Sequence, residues 1–447
     1  MSSGSRVISL SLKKLASRSG VLYLDNFFRM GASAVTSFAL ARLLGPESFG
    51  MLNYSTALTA IFFALASFGL ENPTILRLVR GGNPASVLGT AMAIRLVTSS
   101  VCLIAGCGIV WLLEGAFNTV FWLNVAQLAC MSFYVLSSAE FWFKSRTEPL
   151  IPAAMRSSAV AVSSLGKIGM AVASVPLVWF GIPVLLEAAI MSLGVYWAYR
   201  WKAPRDERAL TFDRGQVPGM LKDAYPFVIA AFSVLIYMKI DAVMLGKMAG
   251  HHENGIYGVS QKLTEILYIV PVVLTDTIYP TLIGKRTQGK KEFARLFQLF
   301  VDGAVVISLV AIVCSILLAR PAIMLVFGEE YAASVDIFHI NAWACLLVTL
   351  SYVRARWLAI EGLQKYESWA TAIGAVTNIL LNLVMIPRWG AIGAAWASLL
   401  SYAVAGVLTS FLLPGTRAVG MHQIRALWPF GRLAAAVRTH YLSKVTP

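Results

Sequence analysis

The chain has 447 residues, of which 58% are hydrophobic and only 13% charged, with a mean hydropathy of +0.71. A water-facing surface needs about 25% charged residues, so this composition excludes an ordinary soluble enzyme or binding domain. In a soluble protein the formal charge of +15, from 37 Lys and Arg against 22 Asp and Glu, would suggest a nucleic-acid partner; here the cations fall in short segments between apolar runs, which makes them topology signals and removes nucleic acid from the expected partners.

A helix crosses the bilayer core with about 20 apolar residues. In chain order, residues 1–19 form an N-terminal segment whose Lys13, Lys14 and Arg18 lead into a full-length span. It lacks the short apolar core and small-residue cleavage site of a secretory signal, so the first helix is expected to stay in the mature protein. Spans are predicted at 20–42, 49–72, 86–113, 118–143, 152–180 and 182–200, with a tight turn near Gly181. The longest polar break, 201–217, carries Arg205, Asp206, Glu207, Arg208, Asp213 and Arg214. Six more spans follow at 218–246, 255–282, 296–319, 335–358, 366–387 and 390–413, with a tight turn near Gly390, and then a basic tail at 414–447. The expected fold is therefore an all-α, polytopic membrane protein of about 12 transmembrane helices in two six-helix lobes, 20–200 and 218–413.

Assigning the loops alternately to the two sides places 28 Lys and Arg on the side of the N-terminus. Only Arg42, Lys247, Arg320 and Arg388 fall on the other. By the positive-inside rule both termini are expected in the cytoplasm. The two halves also echo each other. Leu44-Gly45 with Gly50-Met51-Leu52-Asn53 resembles Leu245-Gly246 with Gly255-Ile256-Tyr257-Gly258, and Pro176-Leu177-Val178-Trp179-Phe180-Gly181 resembles Pro387-Arg388-Trp389-Gly390. An even number of spans per half makes this a parallel pseudo-two-fold repeat about the membrane normal, with a site expected between the halves.

Enzymatic motifs are missing. The sequence has no Gly-x-x-x-x-Gly-Lys-Ser/Thr loop, Gly-x-Ser-x-Gly elbow or His-Glu-x-x-His helix. No metal set is expected, and no enzyme. His251, His252, Glu253 and Asn254 read as a solvated outer turn, and the five cysteines as small apolar residues in helix contacts. Ionisable residues inside spans cost several kcal/mol unless paired or facing water. The mid-depth cations are Arg29, Arg95, Lys167, Lys239 and Lys262; the equally deep anions are only Asp241 and Glu265, with Asp25 nearer an interface. This excess would give a water-filled cavity cationic walls suited to a phosphate or pyrophosphate. Against that, Asp25 and Arg29 (i,i+4) and Lys262 and Glu265 (i,i+3) are spaced to close structural salt bridges. Pro226, Pro271 and Pro280, with Pro176 and Pro183, could kink helices that move. Asn378 and Asn382, one turn apart, suit interhelical hydrogen bonds.

The stretch from Ala41 through Leu44-Gly45-Pro46-Glu47-Ser48-Phe49-Gly50 to Tyr54, followed by Ala66-Ser67-Phe68-Gly69-Leu70, resembles the N-terminal pattern of Wzx-type oligosaccharide flippases. They belong to the polysaccharide transporter branch of the superfamily that holds multidrug exporters and the lipid II flippase. Asp241-Ala242-Val243-Met244-Leu245-Gly246 with Gly255-Ile256-Tyr257, and Asn378 to Asn382 with Ile386-Pro387 and Gly390-Ala391-Ile392-Gly393-Ala394-Ala395, are similar to its later patterns. The resemblance implies a V-shaped pair of lobes, a central cavity and alternating access. Its implied cargo is an undecaprenyl-pyrophosphate-linked oligosaccharide crossing a bacterial inner membrane, with membrane lipids, a polysaccharide polymerase and chain-length machinery as further partners. Many members have fourteen spans; residues 414–447 are too polar and too short for two more. On this reading Arg29, Arg95, Lys167, Lys239 and Lys262 bind substrate, Asp241, Glu265 and Asp25 serve a coupling ion or gate, and the only cofactor is a coupled proton or sodium ion. A multidrug-type antiporter and a membrane-embedded glycan ligase or polymerase are the competing readings.

Overall fold

A computed structural model describes residues 2–432 except Ala116 and Phe430, with side chains from Leu24 onward, Ala230 aside. The side chains of Arg6, Lys13, Lys14 and Arg18, and the whole of Arg438 and Lys444, lie outside the described residues. Every regular element among those described is helical. Among the described residues, nine stretches are long and apolar enough to cross a bilayer: Leu24–Val79, Pro84–Glu114, Thr119–Ser145, Leu177–Lys202, Val217–Met248, His251–Gln288, Lys290–Val326, Ser334–Ile360 and Lys365–Leu412. The first and last each bend at one non-helical residue, Gly45 (φ 73°, ψ 171°) and Gly390 (φ 53°, ψ −131°), and so each hold two helices. With the serine-rich helix Leu150–Val172, which packs between its neighbours, the expected twelve are present.

The outer surface is apolar in the way a lipid-facing surface requires. Ile104, Leu112, Leu165, Leu317 and Leu325 are exposed, whereas buried positions are rich in Ala, Ser and Thr. Small residues let helices approach closely where lipid removes any hydrophobic drive for association.

The chain separates into two compact units, Met1–Leu235 and Ile236–Pro447. In the first, Leu88, Phe141, Trp142, Phe143, Val195 and Tyr199 form an aromatic core. The break at 201–217 is docked rather than free. Thr211 N donates to Ala85 O (3.1 Å), Asp213 N to Thr90 Oγ1 (3.0 Å) and Gln216 Nε2 to Ser86 Oγ (2.7 Å), pinning the break along the start of Pro84–Glu114. In the second unit Phe293, Phe297, Val301, Leu350, Val353 and Trp357 form a core, capped by Val419 and Ala426 of the terminal helix Arg417–Ala426.

Three local expectations need correcting. The turn assigned to Gly181 lies earlier: Leu150–Val172 ends at Ala173, Ser174 takes φ 53° and Pro176 is extended, while Gly181 already opens the next helix. Gly246, aligned with Gly45, sits inside Val217–Met248. The residue with Gly45's backbone is Gly250 (φ 96°, ψ 169°), which keeps the same spacing to Gly255 as Gly45 does to Gly50. Third, His251–Asn254 is not a solvated turn but the first turn of a helix, with Asn254 buried and only His252 exposed. Glu253 Oε2 accepts from Ala391 N (3.0 Å), capping the helix that restarts after Gly390. Of the prolines, Pro183 and Pro271 sit in first turns, where no N–H is needed, and Pro226 and Pro280 stay inside their helices.

Candidate functional site

In the first unit the site is built around Arg95. Thr119–Ser145 is not one smooth helix; it tightens to a 3-10 turn at Leu136–Ala139. That turn presents Ser137 and Ser138 to the guanidinium, whose Nη1 donates to Ser138 Oγ (3.0 Å), Ser137 Oγ (3.2 Å) and Tyr134 O (3.5 Å). The rings of Tyr134 and Phe141 lie 4.5 and 4.9 Å from Cζ. Arg95 is 4% exposed, and no carboxylate among the described residues reaches it as an ion pair. Its Nε has no hydrogen-bond partner. The side chain lines a cavity of about 600 Å³ with Ser67, Gly69, Glu71, Asn72, Tyr134 and Phe227. A buried cation held only by neutral dipoles keeps its charge available to an anion.

Next to it runs a chain of compensated charges. Arg29 pairs with Asp25 (3.3 Å), Arg156 lies 3.9 Å from Asp25 and 2.7 Å from Glu140, and Lys144 bridges Glu140 (3.1 Å) to Glu71 (2.6 Å). Ser157 Oγ donates to Asp25 (2.6 Å). The Asp25–Arg29 pair is the one its spacing allowed, but Arg156 and Glu140 join it only through the fold. Lys167 stands apart, 3.7 Å from Glu187.

The second unit gathers Lys239, Asp241, Lys262 and Glu265. Glu265 is shared by Lys239 (3.3 Å) and Lys262 (3.0 Å). Asp241 is different: it is 4% exposed and, among the described residues, its hydrogen-bond partners are all neutral. Asn382 Nδ2 donates to Oδ1 (2.6 Å), Tyr257 OH to Oδ2 (3.0 Å), and Ser398 Oγ also to Oδ2. Asn378 accepts from Asn382 (3.1 Å) and donates to Ser401 (3.4 Å), while Asn382 Oδ1 is left without a partner. Asp241 and Glu265 both line a cavity of about 20 Å³, with Tyr257, Gln261, Asn341, Ser398 and Tyr402. That is room for one water or one small ion. Among the described residues no His, Cys, Asp and Glu cluster suits a transition metal. An oxygen-rich pocket around one uncompensated carboxylate suits a proton or a hard monovalent cation.

The structure thus brings four of the sequence-derived residues together in one unit and two in the other, with Arg95 and Lys167 separate. Sequence reasoning missed Tyr257 and Ser398 as partners of Asp241. The interhelical hydrogen bonds expected of Asn378 and Asn382 are present, and what the sequence did not tell is that Asp241 is the partner of Asn382.

A family model described as "Polysaccharide biosynthesis protein" matches residues 39–336. Over 413 residues the chain is 23% identical to a Haloferax volcanii protein named "Probable low-salt glycan biosynthesis flippase", covering 89% of this chain and 83% of that one. A second Haloferax volcanii protein, a "Probable flippase", is 27% identical over 188 residues, 40% of this chain and 38% of its own length. Among solved structures, the lipid II flippase MurJ in an inward closed conformation superposes with a TM-score of 0.67 at 13% identity, covering 95% of this chain and 93% of that one. An inward-facing multidrug transporter gives 0.65 at 14% identity, covering 94% and 96%. At such identities the likeness is one of fold.

Proposed function

Because the chain belongs to the polysaccharide biosynthesis protein family, we propose that this multi-pass membrane protein is a flippase that carries lipid-linked oligosaccharide repeat units across the bilayer by alternating access. The names of its Haloferax relatives and the fold it shares with a lipid II flippase support the reading. The finer reading takes undecaprenyl pyrophosphate as the carrier, a bacterial inner membrane as the location, and both termini in the cytoplasm. A polysaccharide polymerase and chain-length machinery then act downstream.

The observation that carries the proposal is Arg95. Moving an anionic head group through hydrocarbon costs on the order of 20 kcal/mol per charge by the Born estimate. A buried guanidinium with no carboxylate in ion-pair contact among the described residues, opening on a cavity of about 600 Å³, supplies the compensating charge. Arg29, Lys167, Lys239 and Lys262, each already facing a carboxylate, act as secondary cations for the cargo, two in each unit. Asp241 takes the coupling proton or sodium ion, while Glu265 and Asp25, both compensated, serve as gates.

The test is flipping of a fluorescent lipid-linked oligosaccharide in proteoliposomes, with undecaprenyl-pyrophosphate and dolichyl-phosphate carriers run side by side. Arg95→Gln is expected to cut the flipping rate at least tenfold with membrane insertion unchanged, and Arg95→Lys to retain part of it. Transport of cationic drugs with no flipping of either carrier would replace this reading with that of a multidrug antiporter.

A further inference from the structure

The terminal helix Arg417–Ala426 has two unlike faces. Val419, Gly420, Gln423 and Ala426 are buried on the second unit, and Gly420 approaches so closely that a Cβ there would sit 2.8 Å from the Phe411 ring. Gln423 Nε2 donates to Leu350 O and Gly406 O, both at 2.9 Å. Beyond the helix, Arg432 holds the buried Asp302 through Nε (2.8 Å) and Nη2 (3.0 Å). The helix is therefore fixed in orientation.

Among the described residues nothing covers the opposite face. At about 100° per residue, Arg417, Met421, Ile424 and Arg425 share one arc of about 100°. Met421 and Ile424 are 46% and 47% exposed, and Leu427 and Trp428, just past the helix end, 52% and 80%. Only residues 413–416 separate this helix from the last membrane-crossing stretch, so it cannot lie far from the bilayer surface. Residues 414–447 carry Arg417, Arg425, Arg432, Arg438 and Lys444 and no Asp or Glu. Exposed Trp, Ile and Met interleaved with Arg, beside a span end, is the chemistry of a helix lying in the head-group region.

We infer that the outer face of Arg417–Trp428 is a binding surface for anionic phospholipid: Met421, Ile424, Leu427 and Trp428 enter the head-group and acyl boundary while Arg417 and Arg425 hold lipid phosphates. This stands apart from the cargo, which the reading above places at Arg95. A partner protein is disfavoured because a basic segment with no acidic residue in its sequence matches a phosphate surface better than a mixed protein surface.

The test uses the full chain in nanodiscs of phosphatidylcholine alone, or of equal parts phosphatidylcholine and phosphatidylglycerol, with a trace of either lipid bearing a photoreactive acyl chain. Peptides spanning Arg417–Trp428 should be labelled by both lipids and preferentially by phosphatidylglycerol. Arg417→Gln with Arg425→Gln should lower that preference by about fivefold per arginine, and raised salt should lower it in the wild type. Labelling at the lipid-facing Leu317 and Leu325 should stay constant, which reports an intact fold. No labelling of the segment by either lipid would overturn the proposal and leave a protein surface as the occupant. Equal labelling by both lipids, unmoved by the arginine changes, would overturn the head-group recognition.

Discussion

Among single residues, Asp241 and Arg95 pose opposite electrostatic problems that are met in the same way. Each is a buried charge held by neutral dipoles rather than by a counter-ion, whereas Asp25, Glu140, Glu265 and Asp302 each face a cation. Leaving a charge in that state is costly unless something from outside completes it. For Asp241 a bound sodium ion or proton would do so, and Asp241→Asn should remove the need. The wild-type protein in detergent is expected to gain thermal stability with sodium at fixed pH, or with acid at fixed sodium. The gain should approach about 2.7 kcal/mol at a hundredfold excess over the dissociation constant, and Asp241→Asn should be flat in the effective arm. A cation response that survives in Asp241→Asn would move the coupling site elsewhere. Lys239 and Lys262 share one carboxylate, so each should be individually replaceable. A double-mutant cycle between Lys239→Ala and Glu265→Ala is expected to give a coupling of no more than about 1 kcal/mol, as for partly exposed pairs.

At the scale of elements, the last span is interrupted by a π-helical turn at Val404–Leu408. Such a turn displaces backbone carbonyls from their usual partners. Here Ala405 O is met by Arg354 Nη1 and Gly406 O by Gln423 Nε2. Arg354 also reaches Thr409 Oγ1 (2.7 Å) and pairs with Glu367 (3.0 Å) from a side chain only 3% exposed. Arg354→Ala should therefore cost about 3–5 kcal/mol, read as a lower melting temperature and loss of membrane protein, with Lys a poor rescue because it lacks the planar fork. The terminal helix adds a pH dependence. His422 Nδ1 bonds Gln298 Oε1 (2.5 Å) beside Phe297 and Trp357. Burial first, and then Arg425, hold its imidazole below its ordinary value of 6.5, with Asp302 opposing. A depressed histidine favours the neutral form in the docked state. The docking contribution is thus fully present above the ordinary value and is lost as pH falls through the lowered one. Hydrogen exchange in Arg417–Ala426 should speed up over that window, and His422→Gln should flatten the profile. Gly45, at φ 73° and ψ 171°, sets the turn between the first two helices in a region that other residues enter only under strain. Gly250 sets the equivalent turn in the second unit, so the repeat is written in backbone torsions as well as in residues.

For the molecule as a whole, the orientation is the testable matter. His252 and Asp206 are both exposed, so a cysteine placed at either reports the side of the membrane rather than burial. With both termini in the cytoplasm, His252→Cys should react with an impermeant maleimide added outside intact cells, and Asp206→Cys only after lysis. Reversed labelling would invert the topology and, with it, the leaflet at which Arg417–Trp428 meets lipid.

Hydropathy determined the class and the number of spans, because in lipid each helix must satisfy its own backbone and so announces itself as an apolar run, but not every boundary: the span expected at 152–180 ends at Val172 and that expected at 296–319 runs over Lys290–Val326. Spacing within one helix also predicted the pairs that a single helix can make, Asp25 with Arg29 and Lys262 with Glu265. What joins different helices was not legible. Lys239 meets Glu265 across 26 positions, Asp241 meets Asn382 and Ser398 across 141 and 157, and Arg95 meets Ser138 across 43. These contacts depend on how far each helix is rotated about its own axis, and in a lipid-facing bundle hydropathy says little about rotation, since both the buried and the exposed faces are apolar. Packing of small residues and the location of breaks such as Leu136–Ala139 and Val404–Leu408 set those rotations. Only the tertiary structure could therefore decide which mid-membrane charges are compensated and which, Arg95 and Asp241, meet only neutral hydrogen-bond partners.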